Sequence, residues 1–249
     1  MLDVRLPHIH APHDENFSWR GFLTHIAVVV IGLLLALGLE QGVEFVHHEF
    51  QRARLVGEMR ATFQSNLARA DRNIQVLNRF RAYLIELRSA VNSRIAGGSD
   101  QPPAVSDPRN YAYAPPLNLG SYEASKINGS LGLLGLNRVR LYGRIEFQQN
   151  LMLASFQHFY DSLADLRAFS DRFNRKDEPT QSKVYQPNIA ELSPSQLLEY
   201  QVILAKLIQY DRQYATQIAR LKASHQLMLK GVDDLDTLVD AFNKPNPDQ

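Results

Sequence analysis

Histidines and carboxylates offer this chain its main route to metal or acid–base chemistry, because the sequence contains no cysteine. Metal sites in helical proteins use Glu-x-x-His pairs contributed by facing helices. The run Glu44-Phe45-Val46-His47 has this spacing once. Three histidines lie in the amino-terminal tail: His8, His10 and His13. They could bind a divalent ion, but scattered tail histidines that bind no ion are more frequent. We therefore expect no metal site and no cofactor.

Motifs for phosphate binding and nucleophilic catalysis are missing from the sequence. The run Gly129-Ser130-Leu131-Gly132 lacks both the spacing and the lysine of a phosphate-binding loop. No Gly-x-Ser-x-Gly elbow occurs, and a chain without strands would not supply its structural context. We expect a protein without catalytic residues, and not an enzyme.

Two ionisable residues occupy apolar positions of a predicted heptad in the last long helix, namely Asp211 and His225. A buried charge is costly unless it is paired. If Arg81 of the first helix lies in the same layer, an Asp211–Arg81 pair would fix the register of the two helices. The alternative is a narrow bundle in which both side chains reach water. This buried polar seam of Arg81, Asp211 and His225 is our first candidate site.

The run Phe22–Leu39 is apolar except for Thr24 and His25. About 20 apolar residues cross a bilayer as a helix, so we predict a transmembrane helix over 19–43 after a short polar tail, 1–18. A cleaved signal peptide is the alternative, with cleavage near Ala36-Leu37-Gly38. The acidic residues of the tail and the helical pattern beyond the cleavage point argue against it.

Charges beside the span predict its orientation. Arg20 precedes the span, whereas Glu40 and Glu44 follow it. Because Lys and Arg flank the cytoplasmic side of membrane helices, we expect the tail in the cytoplasm and residues 45–249 in the periplasm or outside the cell.

The pair Gly32 and Ala36 lies at the spacing that lets two membrane helices approach closely, and is a candidate dimerisation site.

Beyond the span, apolar residues recur every three or four positions and predict an all-α domain over 44–244, with a tail at 245–249. We expect three long helices, at about 44–95, 137–173 and 194–242, and a short one near 122–127. A proline-rich loop covers 96–119. The predicted architecture is a single transmembrane helix continuing into an elongated antiparallel bundle, in an up-down-up order.

The first helix is rich in arginine. Nine arginines and three acidic residues lie between residues 52 and 94. In an up-down-up bundle the acidic end of the last helix, with Asp234 and Asp240, would face Arg88 and Arg94. A basic stalk that contacts anionic lipid or an acidic partner is the alternative. A net charge of +1 argues against a dedicated nucleic-acid binder, so we expect no nucleic-acid partner.

The run from Trp19-Arg20 through Gly32-Leu33-Leu34-Leu35-Ala36-Leu37 resembles the anchors of a family of uncharacterised bacterial single-pass membrane proteins. Those proteins also carry a segment similar to residues 121–131, Ser-Tyr-Glu-Ala-Ser-Lys-Ile-Asn-Gly-Ser-Leu. The likeness spans about two-thirds of the chain, but Glu40-Gln41-Gly42 replaces the family's usual polar-Trp ending. The resemblance implies the topology and no activity.

The segment 121–131 is the candidate interaction surface, and its candidate residues are Tyr122, Glu123, Lys126 and Asn128. We expect it at the membrane-distal turn between the first two long helices. It could equally be a plug that closes the end of the bundle.

Together these patterns favour a scaffold or interaction protein of a bacterial inner membrane, whose partners are the bilayer and either further copies of the chain or an envelope protein. A ligand-sensing bundle on a membrane stalk is the alternative.

Overall fold

A computed structural model of the chain describes residues 19–98, 114–173, 187–232 and 234–243, and in these ranges every regular element is a helix. The all-helical prediction is therefore confirmed. Contacts divide the chain into two compact units, Met1–Gln51 and Arg52–Gln249.

The first unit contains the beginning of helix α1, Trp19–Ile95. Valine, isoleucine and leucine fill this part, and the Thr24 hydroxyl donates to the Arg20 carbonyl at 2.9 Å, which satisfies the hydroxyl within the helix. The apolar window is long enough to cross a membrane, and none of it is buried in the protein. Gly32 and Ala36 are exposed here, so their role in dimerisation stays a prediction.

In the second unit, α1 buries one face whose residues alternate in steps of three and four. The buried positions on this face from Met59 onward are Met59, Phe63, Asn66, Ala70, Asn73, Leu77, Phe80, Leu84, Leu87 and Val91, and Tyr83 beside them is buried too. The helix ends at Ile95, and Gly97 follows it with φ +81°. The Gly98 amide donates to the Ser93 carbonyl at 2.8 Å. This is a glycine-capped end, as the Gly-Gly pair predicts.

Helices α3, Leu136–Phe173, and α4, Pro194–Leu229, pack side by side in opposite directions. Phe169 stacks on Tyr200 near one end of the pair, with ring centroids 4.8 Å apart. Helix α4 starts at a capping box, which the run Ser193-Pro194-Ser195-Gln196 predicts. The Ser193 amide donates to Gln196 Oε1 at 2.7 Å, and the Ser193 hydroxyl accepts from the Gln196 amide. A short helix, α2, covers Gly120–Ile127.

The order of directions differs from the up-down-up prediction, which is wrong. Phe63 contacts Tyr142 and Phe80 contacts Phe159, so α1 and α3 run the same way. Helix α4 runs against α1, because Gln201 Nε2 donates to Asn92 Oδ1 at 2.8 Å while Lys222 bonds Asp71.

The chain must therefore return along α1 before α3 begins, and residues 114–119 do so beside Asn73 and Asn66. The carboxyl-terminal end of α4 consequently lies at the Asp71 level of α1. This overturns the expectation that the acidic end of the last helix faces Arg88 and Arg94.

The expected single helix over 194–242 is also divided in two. Gly231 adopts φ +80°, and the Val232 amide donates back to the Leu227 carbonyl at 3.1 Å, which closes α4. Helix α5 covers Leu235–Asn243, and the Asp234 carboxylate accepts from the Thr237 amide at 2.9 Å as its cap. The break lets α5 turn and bury Leu238 against Leu141 of α3.

Candidate functional site

The predicted contact between Arg81 and Asp211 is present. Arg81 Nε donates to Asp211 Oδ2 at 2.6 Å. The Asp211 side chain is fully buried and that of Arg81 is 20% exposed. Burial raises the pKa of Asp211 to about 6 against the opposing effect of Arg81. The alternative in which Asp211 reaches water is therefore wrong.

His225 is fully buried as well, but it has no polar partner among the residues that the structure describes. Its ring stacks on Phe63 with centroids 4.6 Å apart, and neither ring nitrogen makes a hydrogen bond to these residues. Burial lowers its pKa to about 3, so the imidazole is neutral at physiological pH. Fourteen residues of helix separate it from Asp211, about 21 Å along the axis. The three predicted residues thus form two sites, not one.

The candidate surface on α2 is held by a single carboxylate of α3, that of Glu146. The Tyr122 hydroxyl donates to Glu146 Oε2 at 3.1 Å, and Lys126 Nζ donates to Glu146 Oε1. The Lys126 ammonium also lies 5.6 Å from the centroid of the Tyr122 ring. Both carboxylate oxygens therefore accept a bond from α2, which fixes this short helix against α3.

These groups are unsuited to acid–base catalysis at neutral pH. Burial, followed by the bond to Glu146, raises the pKa of Tyr122 to about 12. The bond to Glu146 also raises the pKa of Lys126 above its ordinary value. The phenol stays protonated and the amine stays charged, so neither is a base or a nucleophile. The cluster positions a surface.

Helix α2 has one buried side and one exposed side. Tyr122 is buried and contacts Tyr142, as a plug would. Glu123, Lys126 and Asn128 are exposed, beside an Ile127 side chain that is 88% exposed. We call these four exposed residues the α2 surface.

The position of this short helix differs from the prediction. Ser121 exchanges a hydrogen bond with Thr62 of α1 at 2.8 Å. Thr62 lies far along α1 from its end at Ile95. The segment is therefore not at the turn that follows α1, because the returning chain carries it to the other end of the bundled part of α1.

Two buried asparagines of α1 are not found when the core is predicted from apolar positions alone. Asn66 Nδ2 donates to the Asn118 carbonyl and Asn73 Nδ2 donates to the Pro115 carbonyl, both at 2.6 Å. The recurrence of apolar residues predicts Leu67 and Ile74 as core positions, but both are only half-buried. Strict alternation of three and four from Met59 would have selected the asparagines. Their amides satisfy the backbone of the returning segment, which has no strand partner.

The Glu-x-x-His pair does not form in the structure. Glu44 Oε1 lies 3.9 Å from His48 Nε2, and His47 Nε2 lies 2.8 Å from Gln51 Nε2. Within the described ranges, no three histidine, aspartate or glutamate residues are placed to hold a metal ion. His8, His10 and His13 lie outside these ranges.

A groove of about 230 Å³ lies where α1 ends and α4 begins, lined by Arg94, Ile95, Leu192, Pro194, Leu197 and Leu198. Small-molecule sites typically occupy about 300 Å³ or more. A ligand that fills this groove would therefore be a small one.

Comparison with known proteins adds no relative: no family model, no curated protein and no solved structure matches the chain.

Proposed function

We propose that this protein is a membrane-anchored helical scaffold or interaction protein of a bacterial envelope, without catalytic activity. Its amino-terminal helix would cross the inner membrane once, and its second unit would form a bundle of three long helices outside the cytoplasm. The resemblance to uncharacterised bacterial single-pass proteins supports the same topology.

One observation carries the proposal. The apolar window of α1 is wholly exposed in the folded chain, whereas the second unit contains a continuous core of its own. A core helix of a soluble protein would bury such a window. Exposed side chains from Phe22 to Leu39 need an apolar phase to cover them, and a bilayer provides one.

Alkaline extraction of membranes tests this anchoring. We expect the full chain to stay in the pellet until detergent is added. Two aspartates, Val30→Asp with Leu34→Asp, should release it, because each costs about 3 kcal/mol at the centre of a membrane helix. The matched control, Ile85→Asp with Val202→Asp, places two charges on exposed positions of the second unit and should remain in the pellet.

Release of the unaltered chain without detergent would refute the anchor. Its mass would then identify the alternative, since a product that begins near Gly38 would indicate a cleaved signal peptide.

The side of the membrane can be read from a single cysteine, because the chain has none of its own. Gln209 is exposed on α4, so Gln209→Cys reports on the second unit. A membrane-impermeant maleimide should label it in cells whose outer membrane alone is permeabilised. Labelling only after full lysis would place the unit in the cytoplasm and exclude an envelope role.

Binding is proposed for the α2 surface because it is rigidly held and carries an exposed isoleucine among polar groups. Glu146 anchors this helix through two hydrogen bonds, and loops or short elements on a rigid scaffold commonly bind partners. Replacing Ile127 by Asp should weaken a partner's crosslinking to the full chain without lowering its melting temperature. An equal loss from Ile85→Asp would mean that the effect is general.

Ligand sensing is the second candidate, and the groove beside Arg94 and Leu197 is the observation that favours it. A ligand at a hundredfold excess over its Kd would stabilise the fold by about 2.7 kcal/mol. If sensing is correct, a small-molecule screen by thermal shift should find compounds whose effect is lost in Leu197→Trp, which fills the groove.

A further inference from the structure

The peptide bond between Asn128 and Gly129 joins helix α2 to the short 3-10 helix that follows it, Ser130–Leu133. No other asparagine of the chain is followed by glycine. Asparagine is among the thermolabile residues of proteins. The nitrogen of a following glycine is the least hindered backbone nucleophile, because glycine has no side chain beside it. An asparagine amide and this nitrogen can therefore close a cyclic imide.

Both residues of this bond are open to water. Asn128 and Gly129 are exposed, and a methyl group added to Gly129 would meet no atom within 4 Å. Asn128 has ψ 0°, and this angle must rotate before the Gly129 nitrogen meets the side-chain carbon. The 3-10 helix buries none of its residues, so it can move with the rotation. The end of α2 thus has room for the ring and for the water that opens it.

Two hydrogen bonds at this bond favour the reaction in different ways. The Ser130 amide donates to Asn128 Oδ1 at 2.9 Å. A donor at this oxygen stabilises the negative charge that develops there when a nucleophile attacks the amide carbon. The Gly129 amide donates to the Lys126 carbonyl at 3.4 Å, beyond the usual range of about 2.7–3.2 Å. Little stability is therefore lost when this nitrogen leaves its acceptor.

Asn92 is the matched control within the same chain. It precedes Ser93, which is the smallest residue to follow any asparagine other than Asn128. Both residues lie inside α1, where the helical hydrogen bonds fix the backbone angles. Gln201 of α4 donates to Asn92 Oδ1 at 2.8 Å. Asn92 is therefore held in a geometry that keeps its amide carbon away from the next nitrogen.

We propose that Asn128 is a site of spontaneous modification, at which its side chain converts to aspartate and isoaspartate through a cyclic imide with Gly129. The Gly129 nitrogen loses its proton to hydroxide and bonds to Cγ of Asn128. The Cγ–Nδ2 bond breaks, and ammonia leaves with a proton taken from water, which regenerates hydroxide. Water then adds to one of the two imide carbonyls. Opening at Cγ gives aspartate, and opening at the backbone carbonyl gives isoaspartate, in which the chain runs through Cγ.

The modification changes the charge of the α2 surface. Either product carries a carboxylate that is ionised at neutral pH, where the amide was neutral. This charge lies next to Ile127, whose side chain is 88% exposed. It also lies at the carboxyl-terminal end of α2, where the helix dipole disfavours an anion. The effect on binding, which alone rests on the proposed function, is a weaker contact with a partner that covers Ile127.

Mass spectrometry of the aged full chain in detergent tests the modification. Trypsin releases Asn128 within residues 127–138 and Asn92 within residues 89–94. At mildly alkaline pH we expect an acid to replace the amide at position 128 over time, while position 92 stays unchanged. An isoaspartyl methyltransferase should label part of the product. Conversion should become faster as the pH rises, and Asn128→Gln should abolish it, because a longer side chain needs a larger ring.

The same chain unfolded in urea shows what the fold contributes. Both asparagines are free to rotate there, so Asn128 should convert in both states and Asn92 only in the unfolded one. Conversion of Asn128 in urea but not in the folded chain would overturn the proposal, because the end of α2 would then block the reaction. Equal conversion of Asn92 and Asn128 in the folded chain would overturn it as well.

The variant Asn128→Asp supplies the charged product in uniform form and tests the effect on binding. It should lower a partner's crosslinking to the full chain several-fold. Asn78→Asp, at an exposed position of α1, is the control and should leave the crosslinking unchanged. An equal loss from both variants would refute the effect on binding, while the mass spectra decide the modification. Undiminished crosslinking of Ile127→Asp would instead refute the proposed binding at the α2 surface.

Discussion

Burial acts in opposite ways on Asp211 and His225 of α4. It raises the pKa of Asp211, which is paired with Arg81, and it lowers the pKa of His225, which has no polar partner among the described residues. In each case the charged form is disfavoured because it leaves water. Asp211 can stabilise a register of α1 and α4 through its bond, whereas His225 contributes as an aromatic ring against Phe63.

Removing the carboxylate of Asp211 should destabilise the protein clearly. Asp211→Ala leaves Arg81 without its buried partner, and we expect a loss of about 2–3 kcal/mol, below the cost for a fully buried pair because Arg81 is partly exposed. Asp240→Ala, at an exposed position of α5, should change stability little. Chemical denaturation of the full chain in detergent measures both. Equal midpoints for the two variants would contradict the account.

The pH dependence of stability should report His225. Its folded pKa of about 3 lies below the ordinary 6.5, so the unfolded state binds more protons between these values, and stability falls as the pH drops through this window. The pKa of Asp211, raised from 3.8 to about 6, acts in the reverse sense, since it favours the folded state on acidification.

Comparison with His225→Phe isolates the histidine. Relative to this variant, the wild type should lose up to about 1.4 kcal/mol per pH unit below pH 6.5. His158→Phe is the control, because His158 is exposed while it also stacks on an aromatic ring, that of Tyr210. A pH-independent difference between wild type and His225→Phe would show that the buried neutral histidine is misassigned.

At the scale of elements, the segment 114–119 determines how the helices are ordered. It has no regular structure, and its carbonyls are satisfied by side chains of three buried residues: Asn66, Asn73 and Tyr214. Because a buried carbonyl without a donor costs free energy, these side chains hold the return path along α1. The parallel arrangement of α1 and α3 depends on it.

Truncation of one of these donors should therefore be costly. We expect Asn73→Ala to lose about 1–3 kcal/mol, since the Pro115 carbonyl would lack its partner. Asn78→Ala is the matched control on the same helix, because Asn78 is exposed. Thermal unfolding and hydrogen exchange of residues 117–127 measure the effect. Similar melting temperatures for the two variants would mean that the hydrogen bond from Asn73 to the Pro115 carbonyl does not stabilise the fold.

Helix ends were predictable where a local motif determines them. The capping box at Ser193 and the glycine end at Gly97 both follow from side-chain and φ preferences within a few residues. The break at Gly231 was missed because the heptad continues across it, and only the φ of that glycine interrupts the helix.

The directions of the helices could not be predicted from the periodicity of apolar residues alone. Short connections force consecutive helices to be antiparallel, but residues 96–119 number 24, and at ~3.3 Å each they can span about 80 Å. Such a connection permits either order. The Arg81–Asp211 contact was predictable because a charge in an apolar seam needs a partner. The partners of Asn66 and Asn73 were not predictable, because they are backbone atoms of a distant segment.

At the scale of the whole molecule, the chain combines one helix whose apolar window is exposed with a unit that contains its own core. Among the described residues, Tyr122 and Lys126 are bonded to Glu146, whereas Asp211 and His225 are buried in the core of the second unit. The proposed function depends most on whether the window of α1 lies in a bilayer.

Labelling of single cysteines in one membrane preparation measures this directly. Leu34→Cys, in the middle of the apolar window, should resist a water-soluble maleimide in open membrane sheets, while Gln209→Cys in the same sheets should react fully. Both should react once the protein is denatured in detergent. If Leu34→Cys reacts as fast as Gln209→Cys before detergent is added, the window lies in water and the protein is not anchored by α1.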